Sequence, residues 1–305
     1  MIDSHIAGLP NNEVRWVKLT QAEIVKKLKR LGFKVGRNIV RKLLKKHKFV
    51  KRKMLRSKST GKSKFREPQF NKIAKLKKEF DARGLPYFSI DTKKNEQLGE
   101  LHREGAVYTT KAIEVYDHDY SYLSTGKIVP HGIYDIKKNH LHINYVSENE
   151  TARSVCYSIR VWWNTIGKQR YPDLPELLLF CDAGGANNYR HHIFKVELQK
   201  LADEIGMPIR IAHYPPYTSK WNAIEHRAFP HVTRALEGVP LHSIEQAKEL
   251  TRNAKTKTGF RTTARVIKKN FKKGMRATKE MVEEINIFFD KKIPQLNYLV
   301  RPMNF

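Results

Sequence analysis

Leu177-Leu178-Leu179-Phe180-Cys181 is an unbroken apolar run with no polar residue to turn toward water. A strand of that kind is stable only when both faces are covered, so it belongs in the middle of a sheet with helices above and below. The run stops at Asp182, just before Gly184-Gly185, and Tyr87-Phe88-Ser89-Ile90 stops in the same way at Asp91. Further strands are expected at 132–136, 140–146 and 209–213, with a turn at Lys137-Lys138-Asn139. Helical periodicity covers 65–83, 151–166 and 189–205, and another helix is expected from about Asn222. Strands first, then helix and strand in alternation, is the pattern of an α/β mixed sheet flanked by helices.

The N-terminal part differs in character. Between Glu23 and Glu67 there is no acidic residue, while Lys and Arg recur throughout. Thr20-Gln21-Ala22-Glu23 has capping-box spacing, so a helix is expected over 21–31 with Ile24, Leu28 and Leu31 inward. Gly32 ends it, and a second helix to about His47 is expected to turn Ile39, Val40, Leu43 and Leu44 inward. The outline is a helix-turn-helix in a small all-α domain over 1–50. Its outward face would carry Arg37, Asn38, Arg41, Lys42 and Lys45, residue types that contact phosphates and base edges in a major groove. A solvated basic hairpin is the alternative. A basic linker and connecting helix follow over 51–85, then a catalytic domain over 86–240 and a C-terminal extension over 241–305.

Lys and Arg number 59 against 30 Asp and Glu, a net charge of +29. Charge that far from neutral repels itself unless a polyanion balances it, which points to nucleic acid rather than a small-molecule substrate. No apolar run reaches membrane-span length and no signal-peptide pattern opens the chain, so a cytoplasmic, nucleoid-associated location is expected. Cys156 and Cys181 are too few for a disulfide framework and are expected as buried thiols.

In so basic a chain, acids at strand ends point to a divalent-cation site acting on phosphate. Phosphoryl transfer with two metal ions needs carboxylates converging from separate elements. Asp91, Asp182 and Glu225 are the candidates. Each has a plainer reading: Asp91 paired with Lys93 or Lys94, Asp182 as a turn acid, and Glu225 as the far end of a capping box begun at Asn222.

The surroundings of all three decide the matter. Ser89-Ile90-Asp91-Thr92-Lys93-Lys94, Gly132-Ile133-Tyr134-Asp135, Trp162-Trp163, Asp182-Ala183-Gly184-Gly185 and His213-Tyr214-Pro215-Pro216-Tyr217-Thr218-Ser219-Lys220-Trp221-Asn222, continuing to Glu225-His226-Arg227, resemble the DDE transposases of bacterial insertion sequences, above all the Rhodopirellula-type family. The resemblance implies an RNase H-like catalytic domain in which Asp91, Asp182 and Glu225 bind Mg2+, with Mn2+ as a substitute. It also implies hydrolysis of a phosphodiester at a transposon end, followed by attack of the freed 3′ hydroxyl on target DNA.

The partners implied are terminal-repeat and target DNA, with a homodimer or larger assembly on them. Lys93, Lys94, Lys220, His226 and Arg227 are expected to contact DNA near the acids, and Trp162 or Trp163 either to stack on bases or to face the core. Family members carry more sequence ahead of the helix-turn-helix, so an N-terminal truncation is expected, and Ala183 stands where the family has a third glycine. A DNA-binding regulator or inactive remnant, and an RNase H-like nuclease or resolvase without strand transfer, are the alternative functions.

Overall fold

The structure is a computed structural model that describes residues 6–8, 15–52, 65–147 and 149–304. It divides into two compact units, Met1–Lys58 and Ser59–Phe305. Most of the basic linker, from 53 to 64, lies outside the described residues.

The smaller unit holds an antiparallel pair, β1 (Ile6–Gly8) and β2 (Arg15–Val17), followed by α1 (Gln21–Arg30) and α2 (Arg37–Lys46). The strand pair departs from the expected all-α character. Thr20 and Glu23 form the capping box: the Glu23 amide donates to Thr20 Oγ1 at 3.3 Å, and the Thr20 amide donates to Glu23 Oε2 at 2.6 Å. Gly32 ends α1 at φ 85°, where a side chain would be strained. Ile24 and Val40 are buried, but Leu31, Ile39 and Leu43, expected inward, are exposed. Two short helices bury only one narrow stripe each, and no third helix is present among the described residues of this unit to cover the rest.

The larger unit begins with α3 (Arg66–Ala82), then β3 (Phe88–Thr92), β4 (Glu96–Leu98), β5 (Gly126–Asp135) and β6 (His140–Ser147). Next, α4 (Ala152–Trp162) runs through a π-helical turn, Trp163–Gly167, into the short α5 (Lys168–Arg170). β7 (Leu177–Cys181), α6 (His192–Ile205), β8 (Ile209–His213), α7 (Ala223–Arg227), α8 (Phe229–Ala235) and α9 (Ile244–Arg252) follow. β9 (Arg261–Ile267), α10 (Lys279–Glu283), β10 (Ile287–Phe289) and β11 (Asn297–Val300) complete it.

These strands form one sheet in the order β10-β11-β8-β7-β3-β5-β6-β9, with β4 alongside β5. β3, β7 and β8 run parallel, and β5 is antiparallel to both β3 and β6. This is the α/β mixed sheet flanked by helices that the sequence implies.

β7 shows why its apolar run is needed. Leu177, Leu179 and Cys181 face a core built with α4 and α6, including Ile159, Trp162, Phe194 and Leu198. Leu178 and Phe180 face the opposite side, against Ile73, Leu76 and Phe80 of α3. Trp162 and Trp163 are both buried, and Trp162 meets Phe88 edge-on at 4.8 Å, so both serve packing rather than base stacking. The 241–305 segment supplies β9, β10 and β11 to the same sheet. No helix among the described residues is long and apolar enough to cross a membrane.

Candidate active site

Strand register sets the first two acids side by side. Ile90 of β3 lies opposite Cys181 of β7 in parallel pairing, so Asp91 and Asp182 are the next residue on each of two neighbouring strands. The crevice beyond the carboxyl ends of such strands is where open α/β sheets bind ligands.

Glu225 arrives from α7, which is fastened to β3 by side chains. Ser89 donates to Asn222 Oδ1 and accepts from the Ile224 amide at 3.2 Å. Asn222 Nδ2 in turn lies 3.3 Å from Asp91 Oδ2. Asn222 occupies the N-cap position yet makes no side-chain cap hydrogen bond, so the capping-box reading of Asn222 to Glu225 gives way to an Asn222 side chain directed at Asp91. Gly132, paired with Asp91 across β5, makes the close seating of α7 and α8 possible. A Cβ there would lie 2.6 Å from Ile224 Cδ1 and 2.7 Å from Phe229 Cε1.

The acids feel one another. Burial, and then the charges of Asp182 and Glu225, push the Asp91 carboxyl well above the usual carboxylate range, and a side-chain hydrogen bond to Glu225 adds to the effect. Asp182 is pushed up to about 6, by burial first and then by the charges of Glu150 and Glu225, against hydrogen bonds from the Gly184 amide and the Asn187 side chain. Asn187, with its amide turned to donate, lies 3.2 Å from Asp182 Oδ1.

An all-oxygen donor set drawn from three elements suits a hard divalent cation. No three His, Cys, Asp or Glu side chains among the described residues are spaced to hold a metal ion as they stand. Burial and the neighbouring charges of Asp182 and Glu225 instead hold Asp91 toward its protonated form.

This electrostatic crowding carries a stability prediction. The Asp182 carboxyl has a higher pKa folded than its ordinary 3.8, so its contribution is present in full below 3.8 and is lost as pH rises through about 6. The cation-free protein should lose on the order of 2 kcal/mol across that window. Thermal melts from pH 4 to pH 7 check this, and Asp182→Asn should flatten the slope.

Glu150, which sequence reasoning missed, is a fourth acid at the site. Its Oε1 accepts from the Ala186 amide at 3.2 Å, and its charge raises Asp182. Gly185, at φ 63°, leaves room for it: a Cβ there would lie 2.9 Å from Glu150 Oε1. Nothing in the spacing of Ser147-Glu148-Asn149-Glu150 marks it, because only the fold brings the start of α4 beside the loop after β7.

His213 is buried and held near pKa 4 by that burial, with Nδ1 2.9 Å from the Asp182 carbonyl and Nε2 3.1 Å from the Tyr298 hydroxyl. It supports the backbone of Asp182 as a neutral ring. Lys94, Lys220, His226 and Arg227 are exposed. Lys93 is different: its side chain is only 11% exposed and its ammonium is paired with Glu96, which also binds Arg103 at 2.7 Å. In the smaller unit, Arg37, Asn38, Arg41, Lys42 and Lys45 are all exposed on α2.

The family described as "Rhodopirellula transposase DDE domain" matches residues 1–302. No curated protein matches. Among solved structures, the "Mos1 transposase paired-end complex with left transposon end" is similar at 12% identity and TM-score 0.45, over 80% of this chain and 71% of that one. The Mos1 mariner paired-end complex with Mn is similar at 13% identity and TM-score 0.44, over 76% and 65%. The complex with Mg is similar at 12% identity and TM-score 0.46, with the same shares.

Proposed function

The chain belongs to the Rhodopirellula transposase DDE domain family, and on that premise we propose that Asp91, Asp182 and Glu225 are the acids with which this transposase cuts DNA at a transposon end. The observation that carries the reading is where the fold puts the three acids: Asp91 and Asp182 follow directly paired residues of neighbouring strands, and Glu225 lies in the first turn of the helix whose N-cap residue, Asn222, sits 3.3 Å from Asp91. The reaction is hydrolysis of a phosphodiester, in which a water oxygen bonds to phosphorus and a 3′ hydroxyl leaves. The oxygen of that hydroxyl then bonds to a phosphorus of target DNA, the bond from that phosphorus to the target strand's own 3′ oxygen breaks, and the displaced oxygen takes up the proton to leave as a 3′ hydroxyl.

Bound divalent cations, Mg2+ with Mn2+ as a substitute, would supply charge stabilisation at the attacking and leaving oxygens in a two-metal arrangement. Asp91, Asp182 and Glu225 would hold them. Asn222, donating to Asp91 Oδ2, fixes the direction of that carboxylate, and His213 steadies the Asp182 backbone. Exposed Lys220, just ahead of α7, and exposed His226 and Arg227, on it, would receive the backbone of the bound strand. The exposed basic face of α2 would read or track the terminal repeat as a helix-turn-helix. Cutting two ends in one event calls for a homodimer or larger assembly.

The test is incubation of duplex transposon-end DNA with Mg2+ and a second DNA. Products joined to the second molecule distinguish a transposase from a nuclease or resolvase that only cuts, and absence of any Mg2+-dependent cutting overturns the reading.

Glu150 supplies a graded check on the loop after β7. Glu150→Gln keeps an oxygen to accept from the Ala186 amide and removes only the charge on Asp182, so cleavage should change by less than about tenfold. Glu150→Ala removes the acceptor as well and should cost about 10- to 100-fold, as outer-shell partners of catalytic acids do. Single-turnover cleavage rates measure both.

A further inference from the structure

Beside Asp182, on the side away from Asp91, lies a cleft of about 320 Å³ lined by Asp182, Gly184, Tyr189, Arg190, Pro216 and Tyr217. Its size falls within the roughly 300–1,000 Å³ of sites that take small organic groups. Tyr217 stands out in its wall. The segment Pro215 to Thr218 is a four-residue turn, with the Thr218 amide donating to the Pro215 carbonyl at 3.2 Å. Pro216 fills the second position, and Tyr217, at the third, has φ 64°.

Turns with a positive φ at the third position give that place to glycine or asparagine, because a larger side chain there strains the backbone. Here a tyrosine occupies it, and the residue is 63% exposed. A bulky residue at a glycine position, with most of its surface exposed, costs the fold stability that packing does not offset, and strain of that kind clusters at ligand sites.

The chemistry of the lining selects the ligand. Tyr217 and Tyr189 offer aromatic faces, and the Arg190 guanidinium lies 5.2 Å from the Tyr189 ring and donates to its hydroxyl at 2.8 Å. The Asp182 carboxyl in the lining disfavours an anionic group beside it. A flat, uncharged ring with polar edges fits, and in DNA that is a nucleobase turned out of the stack.

We propose that this cleft takes an unstacked base of the nucleotide next to the cleaved phosphate, with Tyr217 as its stacking platform. The proposal rests on the transposase reading, since it supplies the substrate. It goes further in assigning a base-binding subsite to the turn after β8.

The experiment uses the full chain with Tyr217→Gly and Tyr217→Phe. Glycine suits the turn better, so Tyr217→Gly should melt at a higher temperature than wild type, whereas cleavage of transposon-end DNA should fall about tenfold to a hundredfold, the range of one lost base stack. Tyr217→Phe should restore cleavage. With an abasic site placed in turn at each nucleotide around the element's terminus, the deficit of Tyr217→Gly should vanish at one position, where no base remains to stack. An equal deficit on every DNA, or none on any, overturns the proposal.

A 2-aminopurine scan of the same positions tests the cleft without cleavage. A fluorescence change on binding to wild type and Tyr217→Phe but not to Tyr217→Gly supports it, and identical signals from all three refute it. Wild-type protein that gives the signal but never cuts would refute the transposase chemistry and leave the subsite standing.

Discussion

Replacing Asp91 with asparagine is expected to reduce Mg2+-dependent cleavage about a thousandfold or more while raising the melting temperature of the cation-free protein by a few degrees. The two signs come from one cause. Asp91 is buried against the charges of Asp182 and Glu225, so ionising it is costly in the fold and its removal relieves the cluster. The same clustering is what a pair of divalent cations would need. A strand-end acid that merely paired with a lysine would behave in the opposite way, and its loss would weaken the protein. The neighbouring Lys93 is paired with Glu96, which already argues against that role. Gel-based cleavage and a thermal melt on one preparation decide the point, and an Asp91→Asn protein that cuts at the wild-type rate sinks the assignment.

The second large effect is steric. Gly132→Ala should destabilise the larger unit by about 2–3 kcal/mol, because the new methyl would collide with buried Ile224 and Phe229. Cleavage should drop by about a hundredfold even among molecules that fold, since displacing α7 by a fraction of an ångström moves Glu225 away from Asp91. Urea unfolding measures the first quantity and single-turnover cleavage the second. Adding Ile224→Val removes the atom nearest to the new methyl, Cδ1, and should restore part of both, a coupling expected only of residues in contact. Unaltered cleavage in Gly132→Ala would mean that α7 does not depend on this close approach.

The central sheet was readable because its chemistry is extreme. Leu177 to Cys181 cannot face water on either side, and Asp91 and Asp182 follow apolar runs that pair directly in the fold. The capping box at Thr20 was equally local and therefore equally legible. What the sequence hid depends on contacts between distant segments. Glu150 reaches Asp182 only through the placement of α4, and β4 is a three-residue strand whose polar composition gives no alternation to read. Leu31, Ile39 and Leu43 have helical spacing that predicts burial, yet the described part of the small unit offers no surface to bury them against. Asn222 misled in another way, because the spacing of a helix cap and the needs of an acid's hydrogen-bond partner coincide at one residue.

β11 joins the sheet between β8 and the edge strand β10, and it does so late in the chain. Asn297 accepts from Gln69 Nε2 at 2.9 Å across 228 positions of chain, and the Tyr298 hydroxyl meets His213, the ring that steadies Asp182. A chain emerging from the ribosome therefore makes Asp91, Asp182 and Glu225 well before it makes the strand that completes their support. Contacts so far apart in sequence form slowly. A nascent or prematurely stopped polypeptide would hold the three acids without β11 and without the hydrogen bonds it brings to Gln69 and His213.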